Sequence, residues 1–114
     1  MVRILLVDMP PLLRDIVKMV LDEQPDMRVV GAIADDEKVV ETVRRRRADF
    51  LVWGIDAEVE NRCTPVLEAH PRVRILAVED RGRTGTLYVL RPHKSSLGPL
   101  SRTRLIKAVR KVAR

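Results

Sequence analysis

The amino-terminal segment places a charged side chain at the end of an apolar run that has the pattern of a buried strand. Residues 4–7 are all aliphatic, Val2 precedes them, and the run stops at Asp8. An apolar run without polar alternation is typical of a strand buried on both faces of a sheet. The next apolar residues have helical spacing: Leu12, Leu13, Ile16, Val17, Val20 and Leu21. We predict strand, turn and helix, with Asp8 at the carboxyl end of the strand, where open α/β sheets build their sites.

The alternation of strand and helix continues to the end of the chain. Further strands are predicted at residues 27–33, 50–53, 73–78 and 87–90. Residues 35–37 begin a second helix, Thr64 and Pro65 a short third one, and Ser101 caps a last one. This order predicts a single α/β domain over residues 1–114, with a mostly parallel sheet and helices on both faces.

The opening ILLVDMPPLLR resembles the start of the receiver domains of bacterial two-component response regulators, typically ILLVDDHPLLR. The segment MRVVGAIADDEKVVETVRRRRADFLVW is similar to their second strand, second helix and third strand. The resemblance covers residues 2–78 and, more loosely, the last helix. It implies a five-stranded flavodoxin-like sheet of order 2-1-3-4-5. In an intact member, an Asp takes a phosphoryl group from a histidine kinase, an acidic pair holds Mg²⁺, and a Ser or Thr and a Lys complete the site.

The resemblance places a degenerate phosphoacceptor pocket at Asp8, Met9, Gly54, Glu79 and Arg91. Asp8 matches the first acid of the pair, but Met9 is a soft thioether with little affinity for a hard cation. Gly54 stands at the phosphoacceptor position and has no side chain to phosphorylate. Glu79 stands at the Ser/Thr position, where its charge repels a phosphoryl group. Arg91 replaces the Lys with a planar fork instead of a point charge.

One further acid extends this interpretation. Asp56 lies two residues beyond Gly54 and is the candidate substitute phosphoacceptor. The alternative is a solvated loop carboxylate without a role in phosphoryl transfer.

The link between the fourth and fifth strands is too short for a receiver. Only residues 79–86 separate them, whereas a parallel crossover needs a dozen residues or more. Gly82 and Gly85 suit a hairpin. We predict that the fourth helix is missing, that residues 87–90 pair antiparallel to residues 73–78, and that Arg91 and Asp8 lie at opposite ends of the sheet. Residues 92–100 then connect to the last helix, and the exposed edge strand favours a partner or a homodimer.

The charge is divided unequally along the chain. Residues 1–71 contain ten basic and fourteen acidic residues, whereas residues 72–114 contain twelve basic and two acidic ones. The last helix carries a predicted basic interaction surface: Arg102, Arg104, Lys107, Arg110, Lys111 and Arg114. A second basic run lies at residues 44–47. Nucleic acid, an acidic protein surface and a second copy are all candidate partners. Recognition-helix and zinc signatures are absent, and aromatic residues are few.

The remaining features exclude several classes. No apolar run approaches the length of a membrane span, and no signal segment is recognised. The single cysteine, Cys63, excludes an intramolecular disulfide and favours a cytoplasmic protein. Its position before the expected helix start leaves two alternatives, an unreactive cysteine or a thiolate favoured by the helix dipole. No nucleophile triad or phosphate loop is found, so we expect neither an enzyme nor a bound cofactor or metal.

These observations together predict a pseudo-receiver, a phosphorylation-independent receiver-like domain. It would act by protein–protein interaction in two-component signalling or transcription regulation. The alternatives are a small basic nucleic-acid-binding regulator and a receiver phosphorylated at Asp56.

Overall fold

The structure is a computed structural model that describes residues 1–34, 38–55, 58–79, 84–89 and 93–112. Strands and helices alternate over the first two thirds of the chain, and two further strands precede the last helix. In chain order the elements are β1 (Val2–Val7), α1 (Pro11–Asp22), β2 (Met27–Ile33), α2 (Val39–Arg46), β3 (Phe50–Gly54), α3 (Val59–Ala69), β4 (Arg74–Glu79), β5 (Thr84–Val89), β6 (His93–Pro99) and α4 (Arg102–Val112).

The strands form one sheet of order β2-β1-β3-β4-β5-β6. The four strands from β2 to β4 in this order are parallel, and β5 and β6 continue the sheet antiparallel. The predicted order 2-1-3-4-5 of the first five strands is confirmed, and it is the order of the flavodoxin-like doubly wound sheet. The predicted loss of the helix between strands four and five is also confirmed, because only residues 80–83 separate β4 from β5.

The predicted antiparallel pairing of the fifth strand is confirmed in register. Ile75 pairs with Tyr88 and Leu76 pairs with Leu87. The strand begins at Thr84, three residues before the predicted start. Arg91, expected at the opposite end of the sheet from Asp8, lies outside the described residues.

The connection predicted at residues 92–100 is wrong, because most of it is a strand. β6 runs antiparallel to β5 and pairs Leu87 with Ser95 and Tyr88 with Lys94. Its residues include Gly98 and Pro99 and have no apolar alternation, so side-chain pattern does not mark it. Pairing satisfies the backbone groups that β5 would otherwise leave open. The sheet edges are therefore β2 and β6, and the exposed β5 edge that motivated the homodimer prediction does not exist.

Helices cover both faces of the sheet, as predicted. On one face, α2 and α3 pack over Leu5, Leu51 and Ile75; on the other, α1 and α4 pack over Ile4 and Phe50. Successive residues at the centres of β1, β3 and β4 point to opposite cores, which explains the apolar runs at residues 4–7, 50–53 and 75–78. None of the helices in the described part of the chain has the length and apolar character needed to span a bilayer.

The third helix begins earlier than predicted. It starts at Val59, so Pro65 lies inside it and not in its first turn. A buried face that includes Cys63 and Val66 packs on the sheet, and this burial offsets the backbone hydrogen bond that Pro65 cannot donate. Burial also raises the pKa of the Cys63 thiol to about 12. Cys63 is a packing residue within the helix, and the thiolate alternative finds no support.

Candidate functional site

The carboxyl edge of the parallel strands brings most of the predicted pocket positions together. Asp8 follows β1, Gly54 ends β3 and Glu79 ends β4, and the register aligns Val7, Trp53 and Ala77 across these strands. The backbone N–H of Asp8 donates to the carbonyl of Ile33 on β2 at 2.8 Å. Asp56 and Arg91, the other two residues of the predicted site, lie outside the described residues.

Backbone closes the space beside Gly54, the residue that the sequence resemblance aligns with a receiver's phosphoacceptor. An ideal Cβ built on Gly54 would lie 2.7 Å from the carbonyl oxygen of Asp8 and 3.4 Å from the Cα of Met9. Real side chains do not approach a backbone oxygen so closely, so the turn after β1 fills the space that an Asp at position 54 would need. Asp8 itself has φ of 49°, in the left-handed region that Asp tolerates better than most residues.

Met9 belongs to the hydrophobic core and not to an ion site. It is half-buried and packs against the cluster on the α1 side of the sheet. Together with Leu6, Arg14 and residues 32–34, it lines a small cavity of about 150 Å³. The position that holds the second acid in an intact receiver is therefore used for packing.

A cation of the chain itself neutralises Asp8. The Nη2 of Arg62, on α3, lies 3.3 Å from the Oδ2 of Asp8. The same guanidinium lies over the indole of Trp53, with its central carbon 5.5 Å from the ring centroid, a cation–π distance. Arg62 thus lies across the carboxyl edge, against both the one matching acid and the buried aromatic ring beside Gly54.

Sequence reasoning missed Arg62. Placing the helix start at Thr64 leaves Arg62 in a loop, where no partner is suggested. The available signal is that Arg62 is the only basic residue within α3. Once the helix is extended back to Val59, this residue stands one turn from the buried Val66 and faces the end of β1.

Three residues of the predicted basic surface on α4 are bonded to other parts of the molecule. Arg110 bonds both carboxylate oxygens of Asp26, at 2.8 and 3.0 Å. Arg102 pairs with Glu23, and Arg104 donates to the carbonyl of Pro99 at 3.1 Å. These contacts fix α4 to the α1–β2 turn and to the end of β6.

The other three basic residues of that surface divide differently. Lys107 is exposed and has no ion pair with any described residue. The side chain of Lys111 and the whole of Arg114 lie outside what the structure describes. The predicted cap of this helix is confirmed, since Ser101 Oγ accepts a hydrogen bond from the backbone N–H of Arg104 at 3.2 Å.

Within the described residues, no group of three or more His, Cys, Asp or Glu side chains is arranged to hold a metal ion. The edge offers one matching carboxylate, already paired with a guanidinium, instead of a cluster of oxygen ligands. A scan against protein-family models found no match, and a search of curated proteins found no relative.

Proposed function

We propose that this chain is a phosphorylation-independent, receiver-like domain that acts by contact with a protein partner in bacterial signalling or transcription regulation. The observation that carries the proposal is the 2.7 Å approach of a Cβ at position 54 to the Asp8 carbonyl. A receiver needs an Asp at this position, and the present backbone leaves no space for one. The proposal assigns the chain no catalytic step and no cofactor.

The charge of the site supports the same conclusion. Phosphoryl transfer to a receiver requires a bound divalent cation, which carboxylate oxygens hold. Arg62 is already paired with Asp8, and the neighbouring Met9 is in the core. The guanidinium of Arg62 lies against the carboxylate that would otherwise help to hold a cation, so this contact disfavours a metal ion at Asp8. This contact supports the proposal that the chain acts without phosphoryl transfer.

We infer that the proposed partner contacts α1, which carries exposed apolar side chains. Leu12, Ile16 and Met19 are 75%, 46% and 57% exposed, and they follow one another at helical spacing on a single face. The adjacent face of the helix buries Val17, Val20 and Leu21 in the core. Leu12 and Ile16 belong to the apolar residues that mark this helix in the sequence, and the structure leaves their side chains exposed. A stripe of large exposed apolar residues is typical of a protein contact site.

Direct nucleic-acid binding is the alternative proposal. Its main support is the net positive charge of residues 72–114. Arg102 and Arg110 are paired with Glu23 and Asp26, so their charge is neutralised within the chain. The α1 stripe has no such internal partner, and this difference favours the protein-contact proposal.

Replacing Leu12 and Ile16 together with serine is expected to weaken partner binding by at least about tenfold. Each substitution removes an apolar side chain that burial at an interface would stabilise by about 1.5 kcal/mol or more. The measurement is affinity capture from the source cells, followed by titration of the captured protein against the variant. Because both side chains are exposed, the thermal midpoint should change little.

Val40→Ser is the matched control, since Val40 is an exposed aliphatic residue on α2, away from the stripe. It should bind the partner like the unmodified chain, and acetyl phosphate should not alter either affinity. Equal binding by the double variant would place the contact elsewhere. A partner that binds only after phosphodonor treatment would contradict phosphorylation independence.

A further inference from the structure

A basic cleft lies at the amino edge of the parallel strands, opposite the degenerate pocket. It has a volume of about 470 Å³ and is formed where α2 ends before β3 and α3 ends before β4. Its floor is apolar and includes Val43, Ala48 and Val73, all buried. Arg44, Arg47 and Arg72 stand around this floor. The cleft therefore combines an apolar base with three guanidinium groups.

Arg47 and Arg72 have guanidinium N–H donors that no described carboxylate uses. Among the described residues, no carboxylate pairs with Arg47 or Arg72, and Arg44 reaches Glu41 only at 3.9 Å. The dipole of α2 favours cations in its last turn, but it leaves the guanidinium N–H groups without acceptors. The one acid of the lining is Asp49, and its Oδ2 already accepts a hydrogen bond from the backbone N–H of Arg3 at 2.9 Å.

The frame of the cleft is held in place by bonds between elements. The Arg3 guanidinium donates twice to the carbonyl of Arg46, at 3.0 and 2.9 Å, and so fixes the end of α2 to β1. On the other side, His70 Nε2 donates to the carbonyl of Val40 at 2.8 Å and joins the turn after α3 to α2. Arg47 occupies the C-cap of α2 with φ of 54°, where glycine fits without strain. The chain thus keeps an arginine at a position that backbone geometry assigns to glycine.

We propose that this cleft binds an acidic peptide segment of a protein partner, with an apolar side chain on the floor and flanking carboxylates on Arg47 and Arg72. Arginine forks bind carboxylates in paired hydrogen bonds, and they are common in protein interfaces. A nucleic-acid strand fits less well, because the described lining has no Phe, Tyr or Trp for base stacking. This inference names a binding surface for the proposed protein-contact function. It rests on that proposed function only in taking the bound molecule to be a protein segment.

The test is selection of binding sequences from a library of random displayed peptides, followed by fluorescence titration of a selected peptide. We expect selected peptides to place Asp or Glu beside a large apolar residue. The variant Arg47→Gly/Arg72→Gln should bind such a peptide at least about tenfold more weakly, as loss of charge-assisted hydrogen bonds predicts. Arg47→Gly suits the left-handed backbone, so this variant should fold as well as the unmodified chain, which its thermal midpoint checks.

Lys107→Gln removes one positive charge from an exposed position on α4, away from the cleft, and this variant should bind the peptide normally. The inference is overturned if no peptide is selected, if the selected peptides lack acids, or if Lys107→Gln weakens binding as much as the cleft variant. Stronger competition by a DNA duplex than by the peptide itself would also overturn it. The cleft variant should also be tested for binding to the partner that contacts α1. If that partner still binds, the proposed function stands even where the cleft inference fails.

Discussion

Gly54→Ala is expected to lower the free energy of unfolding by about 2–3 kcal/mol. The added methyl group would lie 2.7 Å from the carbonyl oxygen of Asp8, an atom of the backbone that no change of side-chain rotamer can move. Forcing extra volume into a packed site typically costs about 1–3 kcal/mol, and a contact with backbone belongs at the upper end. The measurement is urea unfolding followed by the fluorescence of Trp53, the only tryptophan in the chain.

Gly31→Ala is the matched control. This glycine also lies in a strand, but its Cβ would lie 3.4 Å from the Leu5 Cδ1, an ordinary contact with a side-chain atom. Alanine in a strand loses less conformational entropy on folding than glycine, so we expect no loss, or a gain of up to about 1 kcal/mol. Similar stability of the two variants would mean that the turn after β1 yields easily and that position 54 is open.

Trp53→Ala is expected to cost about 3–5 kcal/mol, the range for removing a fully buried aromatic side chain. Trp53 is 1% exposed and lies in the cluster between the sheet and the α2–α3 layer. The guanidinium of Arg62 packs over the Trp53 ring. Without the ring, Arg62 would lose this contact and the support that holds it beside Asp8. A domain of this size has a total stability of about 5–15 kcal/mol, so the variant should be close to unfolding at moderate temperature. Urea unfolding followed by circular dichroism measures the loss.

Trp53→Phe separates volume from hydrogen bonding at the same position. The Nε1 of Trp53 is buried and has no hydrogen-bond partner among the described residues. Phenylalanine removes this unsatisfied donor, which compensates part of the lost packing, so the cost should be less than about 1.5 kcal/mol. A cost equal to that of alanine would show that the indole N–H is bonded and that Trp53 has a polar role in the fold.

The sheet was predictable because its central strands are buried on both faces. Residues 4–7, 50–53 and 75–78 are continuous apolar runs, and the structure packs helices on each side of them. The short link at residues 79–86 predicted the antiparallel turn by chain length alone, and Ile75–Tyr88 pairing confirms it. The length of a connection and the periodicity of apolar residues determine topology most directly, because backbone geometry limits which strands a connection of given length can join.

Features that depend on pairing between distant groups were not predictable in this way. β6 forms through backbone hydrogen bonds to β5. Its polar, glycine-containing sequence does not indicate a strand. The start of α3 was misplaced because Pro65 is favoured at a first turn, whereas burial of Cys63 and Val66 extends the helix past it. The consequence was that Arg62, the partner of Asp8, was overlooked.

The sequence predicts which acidic residues the candidate site lacks, but it does not predict how the site is filled. Gly54 and Met9 indicate from sequence that acids are missing. Only coordinates reveal that the Asp8 carbonyl fills the space at Gly54 and that Met9 has joined the core. The same holds for the basic surface of α4. The sequence shows that Arg102 and Arg110 are cationic, but only the structure shows that they pair with Glu23 and Asp26.

The central proposal is that this chain, which resembles a receiver in sequence, works without phosphorylation, and intact-mass measurement after incubation with acetyl phosphate and Mg²⁺ tests it most directly. We predict a mass identical to that of the untreated chain, because position 54 has no side chain and Asp8 is already paired with Arg62. Asp56→Asn treated in parallel should behave the same way. A labile phosphoryl adduct on the unmodified chain that is lost in Asp56→Asn would contradict the claim and identify an active receiver.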